Sequence, residues 1–265
     1  MPGGAVVVVS PAGGPAPAAV SALIGSCGWP VYAATPDRLD GREAAALKAE
    51  GAALVRVSHT EISALEAVFR RPGVHGVFFY PPDILDEKML TRGVAVIAAA
   101  KRAGVKHFVL SSAAVLSGAP PVRANTDMAD LEAWLRQSGM QTTILRPVYL
   151  MENHLTRHPP TRGQLHGPYK AGAVLPLVAC RDIGALVARA FGEPELFGGK
   201  EVDVCGDVLS MEQQAAVLSK VGTRLPASPH GPSAADVAAP AALGTDAAAA
   251  ALRAPGARGA HGVLA

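Results

Sequence analysis

Short apolar runs alternate with longer amphipathic segments over the first half of the chain. The apolar runs predict six β-strands, over residues 6–9, 29–35, 53–58, 73–80, 107–112 and 141–147. The segments between them predict helices over 16–26, 41–51, 61–70, 89–104 and 124–139. Glycine stands at or near the predicted helix ends, at Gly28, Gly51 and Gly104. This alternation is typical of βαβ units and predicts an α/β fold with a doubly wound parallel sheet.

The pattern loosens after residue 147. Residues 152–172 are rich in Gly, Pro and His, a composition typical of a loop over a binding crevice. Further on, the pattern predicts a helix over 180–191, a strand over 200–206 and a helix over 210–222 with Ser210 as its N-cap.

Composition and charge narrow the function classes. The net charge of +2 and the lack of a long basic run argue against nucleic-acid binding. No apolar run is long enough for a membrane span, and the apolar N-terminus lacks a basic leader. The three cysteines and eight histidines show neither disulfide-framework nor metal-site spacing. We therefore expect a cytoplasmic protein that holds no metal and binds neither nucleic acid nor a membrane.

Three segments carry a family resemblance: AAAKRAGVKHFVLSS at 98–112, LEAWLRQSGMQTTILRPVYLMENHL at 131–155 and CRDIGALVARAF at 180–191. They resemble, in order and spacing, the NmrA-like branch of the atypical short-chain dehydrogenase/reductases, and the likeness runs from about residue 5 to 220. It implies a Rossmann-type sheet with a crevice at the carboxyl ends of the strands. We expect a nucleotide-binding-like domain over 1–150, a smaller substrate-binding portion interleaved with it over 151–227, and a loosely ordered Ala/Gly/Pro-rich tail over 228–265.

The resemblance places a phosphate loop, GxTGxxG in the family, on residues 10–16. Ser10, Gly13 and Ala16 then stand for the three glycines, and Gly13 and Gly14 are the expected cofactor contacts. Backbone N–H groups hold a phosphate at a helix N-terminus, and proline has none. The prolines of this segment are Pro11, Pro15 and Pro17. We therefore expect the grip on NAD or NADP to be weakened or lost.

Three more positions depart from the family. Pro36 replaces the usual basic residue after strand two, which leaves Arg38 to reach a 2′-phosphate. Ser58, followed by His59, replaces the acid that faces the adenine, and Met128 stands where related reductases often keep a lysine. The remaining expected cofactor contacts are Pro81 and Pro147, at the ends of strands four and six.

The candidate catalytic residues lie at or just after the carboxyl ends of the predicted strands: Tyr80, Ser111, Tyr149 and His154. Tyr149 matches the family position beside the nicotinamide, and a tyrosine with a histidine forms an acid/base pair. Arg146 and Asp182 match family positions that we expect to form a salt link.

Three functions stay open at this point. The first is binding of a small organic molecule with weak or no nucleotide binding and non-redox acid/base catalysis, such as a cyclisation, dehydration or isomerisation. The second is NAD(P)H-dependent reduction of a quinone or another small carbonyl compound. The third is a non-catalytic sensor that responds to NAD(P). The Ala/Gly/Pro-rich composition is typical of high-GC bacteria, where such proteins often accompany secondary metabolism.

Overall fold

A computed structural model of the chain describes residues 4–36, 41–81, 83–114, 122–156, 165 and 173–220. Arg38, most of the loop over 152–172 and the predicted tail from residue 228 lie outside the described residues.

Ten strands and nine helices form within the described part of the chain. The strands are β1 Ala5–Val9, β2 Val31–Thr35, β3 Ala53–Arg56, β4 Val74–Phe79, β5 His107–Ser111, β6 Gln141–Pro147, β7 Tyr149–Leu150, β8 Val174–Val178, β9 Glu201–Val204 and β10 Asp207–Ser210. The helices are α1 Ala16–Gly25, α2 Gly41–Ala49, α3 Ile62–Phe69, α4 Met89–Ala103, α5 Arg123–Arg136, α6 Asn153–Thr156, α7 Cys180–Gly192, α8 Pro194–Phe197 and α9 Met211–Lys220.

The larger sheet confirms the predicted doubly wound Rossmann-type fold. Its strand order is β3-β2-β1-β4-β5-β6-β9, and the neighbours from β3 to β6 pair in parallel. The order reverses between β1 and β4. In open α/β sheets, ligands bind at such a switch point, beyond the carboxyl ends of the strands.

Both faces of this sheet are buried, which explains the continuous apolar runs of its central strands. In β4, Val77 and Phe79 belong to a core cluster with residues of α3, α4 and α5. Gly76 points to the opposite face, where a Cβ would overlap the Phe191 ring of α7. On that face α7 also meets α1, and Gly184 allows this close approach because a Cβ there would overlap the backbone of α1.

Two compact units make up the chain. The first comprises 1–113, 123–146 and 180–202, and the second comprises 114–122, 147–179 and 203–265. Within the second unit, β8 pairs in parallel with β7 and antiparallel with β10. The predicted N-cap of α9 is confirmed, because Ser210 Oγ accepts from the Gln213 amide at 3.3 Å while Gln213 Oε1 accepts from the Ser210 amide at 2.7 Å. This reciprocal pair is a capping box.

Candidate functional site

The β1–α1 loop, residues 10–15, lies at the switch point. Gly13 and Gly14 have φ angles of 81° and 53°. Ser10 has a φ of 60°, and no other described non-glycine residue has a positive φ. The Ser10 amide donates to the Ala34 carbonyl of β2 at 3.2 Å, so the pairing of β1 with β2 extends to Ser10. A non-glycine residue pays about 1–2 kcal/mol there, and the loop therefore keeps a glycine-type turn without the first glycine.

Three backbone donors remain in this loop. The Ala16 amide donates to the Gly13 carbonyl at 3.3 Å, whereas the amides of Ala12, Gly13 and Gly14 donate to no described residue. Helix α1 begins after Pro15, with no side-chain cap. Pro11, Pro15 and Pro17 add no N–H to the set. The loop thus offers an anion a reduced set of amides at the end of the central strand.

Tyr80, at the carboxyl end of β4, lies against this loop. A Cβ added at Gly14 would overlap the Tyr80 ring, whereas a Cβ at Gly13 would meet no atom within 4 Å. The two glycines therefore have different surroundings, since the ring covers Gly14 and the face of Gly13 is open. Of the predicted cofactor contacts, Gly13 is the one whose lack of a side chain leaves room for an approaching ligand.

His59 also faces the loop. Its Nε2 bonds to the Ala34 carbonyl at 3.3 Å, and because a carbonyl only accepts, Nε2 carries the proton and Nδ1 accepts from Ser10 Oγ at 3.4 Å. Burial lowers the pKa of His59, and the hydrogen bond to Ala34 opposes that shift. Ser58, the predicted contact beside it, bonds instead to Thr60 Oγ1 at 3.0 Å. Of the two residues that replace the family's acid, it is His59 that reaches the loop.

A small cavity of about 10 Å³ adjoins His59, about the room that one water molecule needs. Pro81, another predicted cofactor contact, lines it. Its other lining residues are Ser10, His59, Phe79, Asp83, Met89 and Arg92. Met128, at the family's lysine position, is 2% exposed and belongs to the core.

Strand β5 ends in two buried serines. Ser111 is fully buried, and its Oγ bonds to no described residue. Ser112 Oγ donates to Glu132 Oε1 at 2.6 Å. Ser112 is thereby part of an ion-pair network rather than a free strand-end hydroxyl.

That network corrects the salt link expected between Arg146 and Asp182. Arg146 pairs instead with Glu132 at 2.6 Å and with Glu201 at 2.5 Å, and Asp182 joins no ion pair among the described residues. Hydrogen bonds from Arg136 and Arg146 lower the pKa of Glu201 to about 2. Burial opposes ionisation of Glu132, but hydrogen bonds from Arg146 and Ser112 keep its pKa below the usual value. The network fastens α5, β6 and β9 together.

The second unit brings Tyr149 and His154 together. Their ring centroids lie 5.6 Å apart, with the planes tilted by 50°. His154 is 7% exposed and bonds through Nε2 to Gln214 Oε1 at 2.8 Å. Gln214, which sequence reasoning missed, lies on α9, 60 positions further along the chain. Pro147, in the same unit, accepts at its carbonyl from the Ala114 amide at 2.9 Å.

Among the described residues, no group of three His, Cys, Asp or Glu side chains could hold a metal ion. Within the same ranges, no helix combines the length and the apolar character needed to cross a membrane.

Comparison with known proteins agrees with this architecture. The sequence model described as the NmrA-like family matches residues 3–232. An NAD(P)H azoreductase from Xenophilus azovorans is 32% identical over 155 residues, or 57% of this chain and 53% of that protein. The chain thus spans about half the length of this curated relative.

Two solved structures share the fold. An NADPH-dependent quinone oxidoreductase from Escherichia coli, complexed with NADPH, has a TM-score of 0.69 and 23% identity and covers 85% of this chain and 78% of its own. NmrA, a negative transcriptional regulator in complex with NADP, has a TM-score of 0.72 and 22% identity, with coverages of 86% and 75%. An enzyme and a regulator are thus about equally similar to this chain in structure, and the fold alone does not distinguish an enzymatic from a regulatory function.

Proposed function

The chain belongs to the NmrA-like family, and from that premise we propose that it binds NAD(P)H weakly at the β1–α1 loop and reduces a small organic molecule. The amides of Ala12, Gly13 and Gly14 carry this proposal, because they lie at the switch point in a glycine-type turn and donate to no described residue. Such amides are the donors that a pyrophosphate takes. A nucleotide bound there would supply a hydride, and the reductases among the similar proteins support that use.

The same loop explains the low affinity that we propose. Each proline removes one amide, and the Tyr80 ring covers Gly14. Pro15 has φ −79° and ψ −6°, angles that alanine adopts without strain. Pro15→Ala therefore adds a donor at the start of α1 and should tighten nucleotide binding.

Calorimetric titration with NADPH and with NADH tests the proposal. We expect saturable binding that Pro15→Ala strengthens and that Gly13→Ala weakens at least about threefold, because the new Cβ occupies the open face. Gly28→Ala is the matched control, since Gly28 also has a positive φ of 64° and no atom within 4 Å but lies outside the loop. No binding of either nucleotide, or an equal effect of both alanine variants, would refute this proposal.

A second function is favoured by the contact between Tyr149 and His154 in the second unit. We propose that this pair performs non-redox acid/base catalysis on a small carbonyl compound, as in an isomerisation. The test follows deuterium incorporation from D2O into a cyclic enone by NMR, without nucleotide. Tyr149→Phe should abolish the exchange and Tyr32→Phe, on β2, should leave it unchanged. Exchange that survives Tyr149→Phe would exclude this role.

A further inference from the structure

We propose that Gln214 is a positioning residue that holds the His154 imidazole in its Nε2–H tautomer and leaves Nδ1 as the basic nitrogen. This inference rests on the acid/base function proposed for Tyr149 and His154. Of that pair, the histidine is the residue type whose pKa is ordinarily near neutrality. The chemistry of the His154 ring depends on which of its two nitrogens carries the proton.

The tautomer follows from a backbone carbonyl. Gln214 Nε2 donates to the Leu209 carbonyl at 3.1 Å, and a carbonyl only accepts. The amide nitrogen of Gln214 must therefore face Leu209, which turns Oε1 towards His154. An amide oxygen also only accepts, so the His154 Nε2 that it meets at 2.8 Å carries a hydrogen. In the neutral ring, Nδ1 then keeps its lone pair.

Both ends of this chain of bonds are fixed by neighbouring structure. The capping box of Ser210 and Gln213 sets the start of α9, and Gln214 is the next residue. On the other side, the His154 amide donates to the Met151 carbonyl at 3.1 Å. Gln214 is 4% exposed and His154 is 7% exposed, so water cannot readily replace the bond between them. A reversed amide would set its oxygen against the Leu209 carbonyl, which places two acceptors together with no hydrogen between them.

The bond between His154 and Gln214 is compatible with reversible protonation of His154 at Nδ1. Nε2 carries a hydrogen in the neutral imidazole and also in the imidazolium, so the bond to Gln214 persists in both states. The Gln214 carbonyl dipole also stabilises the cation when Nδ1 takes a proton. Gln214 thus orients the ring without touching the reacting atoms.

The ring nitrogens of His154 report the tautomer directly in two-dimensional 15N NMR. The chain has eight histidines, and His154→Asn assigns the signal. We expect the wild type to show the Nε2–H tautomer and Gln214→Leu to lose it. Gln214→Glu should keep the tautomer and raise the pKa of His154 by about one unit or more, because a carboxylate stabilises the imidazolium. Gln137→Leu is the control, an exposed glutamine that follows α5 and takes no part in the α9 capping box, so it should leave the signal unchanged.

An Nδ1–H tautomer in the wild type would overturn the inference, as would a tautomer that Gln214→Leu leaves unchanged. The wild-type tautomer decides the matter where the leucine variant does not fold, because an Nδ1–H form refutes the inference without any variant. The enone exchange assay separates the two proposals. Activity that survives Tyr149→Phe refutes the catalytic function, whereas the tautomer signal tests Gln214 independently.

Discussion

Acidification should destabilise the first unit through His107, which is fully buried on β5. Thr143 Oγ1 donates to the Phe197 carbonyl at 2.8 Å, so its lone pair accepts from His107 Nε2 at 2.8 Å. His107 Nδ1 is buried and bonds to no described residue. Protonation at Nδ1 would place an unpaired charge in the core. Burial, followed by the charge of His75, lowers the pKa of His107 from 6.5 to about 4.

This shift converts into a pH dependence of the unfolding free energy. The unfolded chain takes up the proton near the ordinary pKa, whereas the folded chain resists until about pH 4. Stability is therefore full above pH 6.5 and falls as the pH drops towards 4, at about 1.4 kcal/mol per pH unit. Between pH 7 and pH 5 the loss comes to about 2 kcal/mol.

Urea unfolding of the wild type and of His107→Gln, followed by circular dichroism between pH 5 and 8, measures this loss. Glutamine keeps a donor for Thr143 and cannot titrate, while all other groups remain common to both proteins. The difference in unfolding free energy between the two should therefore change by about 2 kcal/mol in favour of the variant from pH 7 to pH 5. Parallel curves would show that His107 titrates normally and would refute the buried, unpaired nitrogen.

Two glycine predictions test packing at the switch point and between helices. Gly184→Ala should lower the unfolding free energy by about 1–3 kcal/mol, because its Cβ overlaps the α1 backbone. Gly192→Ala, at the end of the same helix and with no atom within 4 Å, should be nearly neutral in the same urea experiment. Gly14→Ala should destabilise more than Gly13→Ala, since both have positive φ but only Gly14 lies under the Tyr80 ring. In a double-mutant cycle, Tyr80→Ala should remove the additional loss of unfolding free energy that Gly14→Ala shows over Gly13→Ala. If this additional loss persists without the Tyr80 ring, the ring contact is contradicted.

The larger sheet could be predicted from the sequence because its signals are local. Each central strand is a short apolar run, buried on both faces, and glycines near the helix ends mark the boundaries. The smaller sheet could not be predicted in this way. β7 has only two residues, too few to show a period, and β8 contains Pro176. Its pairing with β10 joins segments about 30 residues apart, and no local pattern reports that contact.

In the candidate site, too, the features with local sequence signals could be predicted and the long-range contacts could not. The loop position and the contact between Tyr149 and His154 could be predicted, since they depend on strand ends and on neighbours in sequence. Gln214 could not be predicted, because its bond to His154 spans 60 positions. The predicted partner of Arg146, Asp182, was wrong. One of the partners observed instead, Glu201, lies 55 positions away and resembles any other surface acid in the sequence.

The loop shows why a degenerate motif should be judged by its donors rather than by its letters. Ser10 replaces the first glycine of the family motif, yet with a φ of 60° its backbone stays in the left-handed region that a glycine would adopt. Replacing that glycine costs stability, about 1–2 kcal/mol, and removes no donor. Pro15 fits the helix start without strain, but it removes an N–H that a phosphate would use. Stability and affinity therefore separate at this loop. Ser10→Gly should change mainly the unfolding free energy and Pro15→Ala mainly the nucleotide affinity, and a reversed result would mean that the turn, not its amides, limits binding.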